Sequence, residues 1–230
     1  MIDKVGTNCT GCGSCAGGCP HEAIRIELNE EGFLMPFIDS SICTRCNLCE
    51  RVCPVLNEEP STNSIIESLA ALTDNRPKTS SSGGAFFAIA SVVIRNHGVV
   101  YGAGYGNKNR IIHIRVNSLD ELPRLCGSKY IQSYIDREIF HAIKKDLTGG
   151  MEVLFTGTPC QVKGLKLFLR KEYSNLILID LVCHGVPSVG VFNSYIRYVE
   201  KLRHRKVTEF RCRDNREGWN KIFKSTIIYD

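Results

Sequence analysis

Apolar and polar positions divide the chain into two regions with different rhythms. Residues 23–28 (AIRIEL) alternate apolar with polar, Glu31-Gly32 supplies a turn, and residues 33–38 return, which predicts a β-hairpin. After Pro54 the chain turns polar, and residues 57–63 (NEEPSTN) read as a linker. From Ile65 onward, apolar runs of strand length alternate with runs of helix length. Strands are predicted at 69–73, 98–102, 111–116, 151–155, 176–182, 207–213 and 222–229, and helices at 85–96, 134–147, 162–171 and 188–205. The alternation predicts an α/β layer arrangement, with the two late strands able to pair antiparallel and make the sheet mixed. No period of twenty to fifty residues recurs outside the cysteine-rich start. The longest apolar run, 85–94, is too short to span a bilayer.

Composition fits a small module joined to a larger domain: 230 residues, 43% of them hydrophobic. The twelve cysteines change the picture. Cys9-Thr-Gly-Cys12-Gly-Ser-Cys15-Ala-Gly-Gly-Cys19-Pro20 and Cys43-Thr-Arg-Cys46-Asn-Leu-Cys49-Glu-Arg-Val-Cys53-Pro54 both read C-x2-C-x2-C-x3-C-P. Bacterial two-cluster ferredoxins hold cubane iron–sulfur centres with this spacing, and the fourth thiolate of each cube comes from the other copy. One 4Fe-4S site is therefore assigned Cys9, Cys12, Cys15 and Cys53, and the other Cys43, Cys46, Cys49 and Cys19. Gly11, Gly13, Gly17 and Gly18 are expected to free backbone amides for cluster sulfurs, and Pro20 and Pro54 to stop the following chain. Structural zinc and a disulfide scaffold are the rival readings. Zinc needs no third cysteine at the same short interval, and disulfides need an oxidising compartment.

Two clusters in one small module imply one-electron transfer. They also alter the electrostatics. A formal charge of +5 falls to about +1 once each oxidised cube with its thiolates contributes about two negative charges, so no case for nucleic acid remains. The most basic stretch, 197–206, reads either as the solvated end of a helix or as a patch for an acidic electron carrier. Many free thiols and no apolar leader predict a cytoplasmic protein without a membrane span.

Within the α/β region, ligands are expected at carboxyl ends of strands and amino ends of helices. Ser80-Ser81-Ser82-Gly83-Gly84 opens a helix, as either an N-cap or a phosphate cradle, while Thr156–Gln161 and Cys183-His184-Gly185 follow apolar strands. Tyr101–Gly106 is rich in glycine, but Asn107 and the lack of a following helix exclude the dinucleotide fingerprint.

Taken in order, SSSGGAFF, GVVYGAGYG, GSKYIQS, VLFTGTPCQVKGL and LIDLVCHGVPS resemble the coenzyme F-420 hydrogenase/dehydrogenase beta-subunit family. The 7-hydroxymethyl chlorophyll a reductase is similar. The resemblance covers nearly the whole chain and implies a small bacterial ferredoxin-like module followed by a mixed-sheet flavin-binding domain, α+β / α/β in class. Domains follow as 1–56 for the two-cluster module, 57–79 for the linker and first strand, and 80–230 for a flavin-binding-like unit. Relatives continue past the segment ending Gly218-Trp219, so that unit is expected to be incomplete at its C-terminal end.

The resemblance further implies FAD, with Ser82, Gly83 and Gly84 near its phosphates and Ser128 and Lys129 adding hydroxyl and cationic contacts. Thr156, Gly157, Thr158 and Gln161 would line the flavin region. His184 is the catalytic candidate, a proton donor near the flavin, with a structural histidine as the alternative. Cys160 and Cys183, in shared motifs, read first as structural thiols and alternatively as ligands of a third cluster; Cys126 and Cys212 have no assigned role. The expected activity is an iron–sulfur flavoprotein oxidoreductase passing electrons between a ferredoxin-like or other redox protein, two clusters, FAD and a deazaflavin or other hydride acceptor. An electron-transfer subunit serving a partner oxidoreductase is the alternative, and a cluster carrier that binds no flavin is a third reading.

Overall fold

The computed structural model describes residues 1–58, 67, 69, 72–107, 110–214 and 224–230. The linker expected at 57–63 lies mostly outside these residues, as do positions 70 and 71 of the strand expected at 69–73 and all of Gly218-Trp219. Among the described residues no helix is long and apolar enough to cross a membrane.

The N-terminal module is built from the short helices α1 (Ser14–Gly17) and α2 (Leu48–Arg51), one in each cysteine copy, flanking the hairpin β1 (Ile24–Leu28) and β2 (Leu34–Ile38). The hairpin pairs antiparallel, with Ile24 opposite Ile38 and Leu28 opposite Leu34, as the alternation predicts. Ile2, Val5, Ala16, Ala23 and Ile24 pack among Cys15, Cys19 and Cys53 to form its core.

The larger unit centres on a four-stranded sheet of order β4-β3-β5-β6, formed by β3 (Val99–Tyr105), β4 (Ile111–Val116), β5 (Val153–Gly157) and β6 (Leu176–Asp180). β3, β5 and β6 run parallel, and β4 is an antiparallel edge. The sheet is mixed because of β4, not because of the late strands. Those strands, β7 (Val207–Arg211) and β8 (Thr226–Tyr229), pair with each other in a separate two-stranded sheet.

Residues alternate across the sheet. Val99, Tyr101, Val153 and Phe155 face α4 (Arg137–Thr148) and α5 (Pro159–Leu169), burying Phe140, Ile143, Leu147, Leu165 and Phe168. Val100 and Leu154 face the other way, onto Ala90, Val93 and Ile94 of α3 (Ala85–Arg95). Strands covered on both faces read as continuous apolar runs, which is why 151–155 carries no polar alternation. The last helix, α6 (Val189–Arg203), places Val189, Phe192 and Ile196 on Ile111 and Ile131.

Two helices begin away from their predicted starts. α4 starts at Arg137 because Tyr134 is held extended in a bridge to Ile112. α5 starts at Pro159, the first-turn position that a missing N–H suits.

The module docks on the α4 and α5 side of the sheet. A Cβ at Gly13, whose φ is +80°, would stand 2.9 Å from the Ile135 carbonyl oxygen, and one at Gly17 would stand 2.7 Å from Phe140 Cδ2. Arg137 and His141 of α4 bond carbonyls of the same segment: Arg137 Nη1 donates to Ala16 O (3.3 Å) and Cys19 O, and His141 Nε2 lies 3.1 Å from Gly17 O. The Gln132 carboxamide brackets Leu34, accepting from its N–H at 2.6 Å and donating to its carbonyl at 3.3 Å. Glycines expected to free amides for cluster sulfurs thus also let a second unit approach the cysteine loop.

His113 is the polar exception in this core. It stacks on Phe155 with ring centroids 5.5 Å apart, and Nε2 lies 3.2 Å from the Thr156 carbonyl. Among the described residues Nδ1 has no hydrogen-bond partner, and burial holds the imidazole pKa down at about 4.

Two outcomes are expected. Gly17→Ala lowers stability by about 1–3 kcal/mol through overpacking against Phe140, read from urea unfolding of the anaerobic holoprotein, and Phe140→Leu in the same chain recovers part of it. Strict additivity of the two changes would rule out that contact as the cause. For His113, the unfolded chain takes up a proton near pH 6.5 and the folded chain only near 4. Stability is therefore lost as pH falls through this window, by about 1 kcal/mol at pH 5.5 and about 3 kcal/mol at its lower end. Unfolding at pH 7 and 5.5 should show a smaller loss in His113→Gln than in the parent; equal losses would refute the assignment.

Candidate functional site

Two cavities lie side by side in the module. Cys9, Cys12, Cys15 and Cys53 line one, together with Ile2, Val5, Ile26, Pro36 and Val55, around an empty volume of about 300 Å³ that includes its solvent-open part. Cys19, Cys43, Cys46 and Cys49 line the other, with Met1, His21, Ile24, Ile38 and residues 44–48, around about 350 Å³ measured the same way. Each cavity draws three cysteines from one sequence copy and the fourth from the other. Among the described residues no group of three His, Cys, Asp or Glu closes on a single ion position. The cysteines line two separate hollows, each with the four thiolates that a cubane cluster takes as ligands.

The cavities differ in environment. In the first, Cys12, Cys15 and Cys53 are buried, and Cys9 is half-buried. Burial pushes the Cys9 thiol up, the Cys12 thiol to about 11 and the Cys15 thiol well above its ordinary value. Thiols so placed resist ionisation in water, and a metal cation must displace their protons for them to serve as ligands. Ser14 Oγ donates to Val52 O at 2.9 Å and lies 3.2 Å from Cys12 Sγ, and the Gly11 amide donates to Cys9 Sγ at 3.4 Å. In the second cavity Cys46 is exposed, along with Thr44, Arg45 and Asn47 around it.

The first cavity abuts the sheet unit. A Cβ on Gly164 of α5 would stand 3.3 Å from Cys12 Sγ and 3.1 Å from Ser14 Cβ, so the helix touches the cysteine loop. Cys160, in the first turn of α5, lies near enough that its charge would bear on Cys9 and Cys12. Two signals that the sequence reading did not use could have pointed here: a glycine inside a helix, which costs about 1 kcal/mol and implies a close neighbour, and Pro159 followed by Gln161 as a helix start.

At the carboxyl ends of the strands, two of the expected ligand segments meet. Ser128 N donates to Ser81 Oγ at 2.7 Å, which joins the Ser80–Gly84 loop to the Gly127–Tyr130 loop at the start of α3. Ser82 is exposed there, and Gly84 is the left-handed N-cap, φ 87°. Gly83 is held by its carbonyl, which accepts from Thr73 N at 2.9 Å. Lys129 points inward. Its ammonium donates to the carbonyls of Leu125 (3.1 Å), Cys126 (3.0 Å) and Gly127 (3.1 Å), and burial brings its pKa down to about 8. Its three donors therefore shape its own loop.

Gln161 is similarly engaged. Its Oε1 accepts from Thr158 N at 3.0 Å as the return half of a capping box, and Nε2 donates to Ser133 Oγ at 2.8 Å. Thr156 follows in β5, and its carbonyl faces His113; Gly157 packs under the Gln161 carboxamide. Thr158 Oγ1 lies 3.1 Å from Cys160 Sγ. His184 and Cys183 occupy an exposed loop after β6. The four remaining cysteines have separate neighbourhoods: Cys126 by Leu122 O, Cys212 under the Tyr130 amide, Cys160 by Thr158 and Cys183 by Gly185 N.

Comparison with known proteins agrees with both halves. Residues 8–57 match the 4Fe-4S dicluster domain, and residues 150–227 match the C terminus of the coenzyme F420 hydrogenase/dehydrogenase beta subunit. The DNA-directed RNA polymerase subunit Rpo3 of Methanosarcina mazei is 44% identical over 48 residues, 21% of this chain and 17% of that protein. A chain of the F420-reducing [NiFe] hydrogenase complex from Methanosarcina barkeri aligns with a TM-score of 0.45 at 16% identity, over 66% of this chain and 55% of its own length. The chain thus spans about half of that solved chain. The chain therefore joins a 4Fe-4S dicluster domain to a segment similar to the C terminus of the coenzyme F420 hydrogenase/dehydrogenase beta subunit.

Proposed function

We propose that this chain is a cytoplasmic iron–sulfur flavoprotein oxidoreductase unit, and that Cys9, Cys12, Cys15 and Cys53 hold one 4Fe-4S cluster while Cys43, Cys46, Cys49 and Cys19 hold the other. The observation that carries the reading is the pair of four-cysteine cavities, each completed from the opposite sequence copy. When bound, the clusters would supply one-electron chemistry and FAD its conversion to two-electron chemistry.

The chain's own residues divide the work. Ile2, Val5, Ile26 and Val55 keep water from the first cavity, and Gly164 brings α5 against its wall. Cys46 and its exposed neighbours offer a ferredoxin-like or other redox protein access to the second. FAD would be held across the strand ends by Ser82, Gly83, Gly84 and Ser128, with Thr156, Gly157 and Thr158 beside its ring. Lys129 and Gln161 would act from behind, by fixing the loops that meet the cofactor. His184, on its exposed loop, is proposed as a proton donor to a deazaflavin or other hydride acceptor.

A specific observation favours a second reading, in which the chain is an electron-transfer subunit of a partner oxidoreductase. Leu181 and Val182 are 56% and 90% exposed at the carboxyl end of β6, where a ligand would gather, so that side of the site lacks an apolar cover among the described residues. A partner surface there would complete it.

Anaerobically purified protein is expected to contain about eight irons, about eight sulfides and about one FAD per chain. Iron without flavin would leave the electron-transfer reading, and zinc in place of iron would end both. The cysteine assignment has its own test. Cys19→Ala with Cys49→Ala, which share a cavity, should leave about four irons, whereas Cys19→Ala with Cys15→Ala should remove nearly all. Retention of about four irons by the second pair would show instead that each copy holds its own cluster.

A further inference from the structure

We propose that Arg137 is a positioning residue for the iron–sulfur sites. It ties α4 to the segment that supplies a ligand to each of them, and its charge raises the reduction potential of the site holding Cys19. The proposal rests on the dicluster reading above.

The segment Cys15–Cys19 is where the two sites meet in the chain, since Cys15 lines the first cavity and Cys19 the second. It also spans the end of α1 and the turn after it, where Ala16 O and Cys19 O accept long backbone bonds from Cys19 N (3.3 Å) and Glu22 N (3.4 Å) and have a second lone pair to offer. Arg137 and His141, one turn apart on α4, serve three carbonyls of this segment. Arg137 Nη1 donates to Ala16 O and Cys19 O, and His141 Nε2 lies 3.1 Å from Gly17 O. Phe140, between them in sequence, packs against Gly17.

The position of Arg137 is costly for its own helix. It is the first residue of α4, where the macrodipole disfavours a cation. Carbonyls at the end of α1 favour one, so the residue gains from a neighbouring helix what it loses in its own. Its side chain is 22% exposed, and its nearest anion, Glu22, is 3.6 Å away with its side chain 73% exposed. A partly buried cation is screened less than a surface one, while Glu22, facing water, offsets only part of it. Reduction adds an electron to a cluster that is already anionic, and a fixed positive charge beside one of its cysteines favours that form.

The test is an EPR-monitored redox titration of the anaerobic holoprotein, with iron counted in every sample. Arg137→Gln keeps a donor for the carbonyls and removes the charge. It is expected to lower the equilibrium constant for reducing the Cys19 site about tenfold, about 59 mV for one electron, and to shift the other site less. Arg137→Lys keeps the charge and should stay near the parent. Lys144→Gln removes a charge from the exposed side of α4 and should leave both potentials in place. If Arg137→Gln loses iron, Glu22→Gln carries the test instead, because removing that anion should move the potential upward. Unchanged potentials in iron-replete Arg137→Gln would overturn the proposal, as would an equal shift in Lys144→Gln, or, where Arg137→Gln cannot be loaded, no rise in Glu22→Gln. A parent protein with far fewer than about eight irons would overturn the dicluster reading itself, a separate failure.

Discussion

The architecture depends on how closely two backbones can approach. The loop carrying the first cysteine copy lies against α4 and α5 with no room for side chains at Gly13 and Gly17, and α5 answers with Gly164 against Cys12. Dispersion and burial fall off steeply with separation, so a methyl group at any of these positions would hold the module away from the sheet unit. It would also withdraw the Ala16, Gly17 and Cys19 carbonyls from Arg137 and His141. Packing and polar satisfaction therefore stand or fall together at this seam.

Beyond the seam, the sheet unit spends its buried polar groups on holding loops. Lys129 gathers three carbonyls of its own turn, Gln161 ties the start of α5 to Ser133, and Ser81 accepts the amide of Ser128. These bonds fix the strand ends from within and leave Ser82 outward. Such an arrangement suits a large cofactor, which needs a preformed rim more than a single strong contact.

Much of this was legible in the sequence where the chemistry is local. Cysteine spacing pointed to paired four-cysteine sites because a tight turn leaves few places for each sulfur, and the alternation at 23–38 gave the hairpin because one face is buried. What spacing does not encode is orientation. Nothing in GSKY says that Lys129 turns back onto Leu125, Cys126 and Gly127, since the pull comes from carbonyls the turn itself creates. The start of α4 was misplaced because Tyr134 is captured by Ile112, a partner more than twenty residues earlier. Sheet order was likewise hidden: the late strands had the right pattern, but they close on each other instead of on β4 or β6.

The exchange of one cysteine between the two copies bears on how the protein is made. Cys53 lines the cavity that begins at Cys9, so the earlier site lacks a wall until more than forty further residues have left the ribosome. Cys19, meanwhile, waits for the later copy. Neither half of the module is a complete receptacle during synthesis. Iron delivered early would meet open loops with an incomplete set of cysteines.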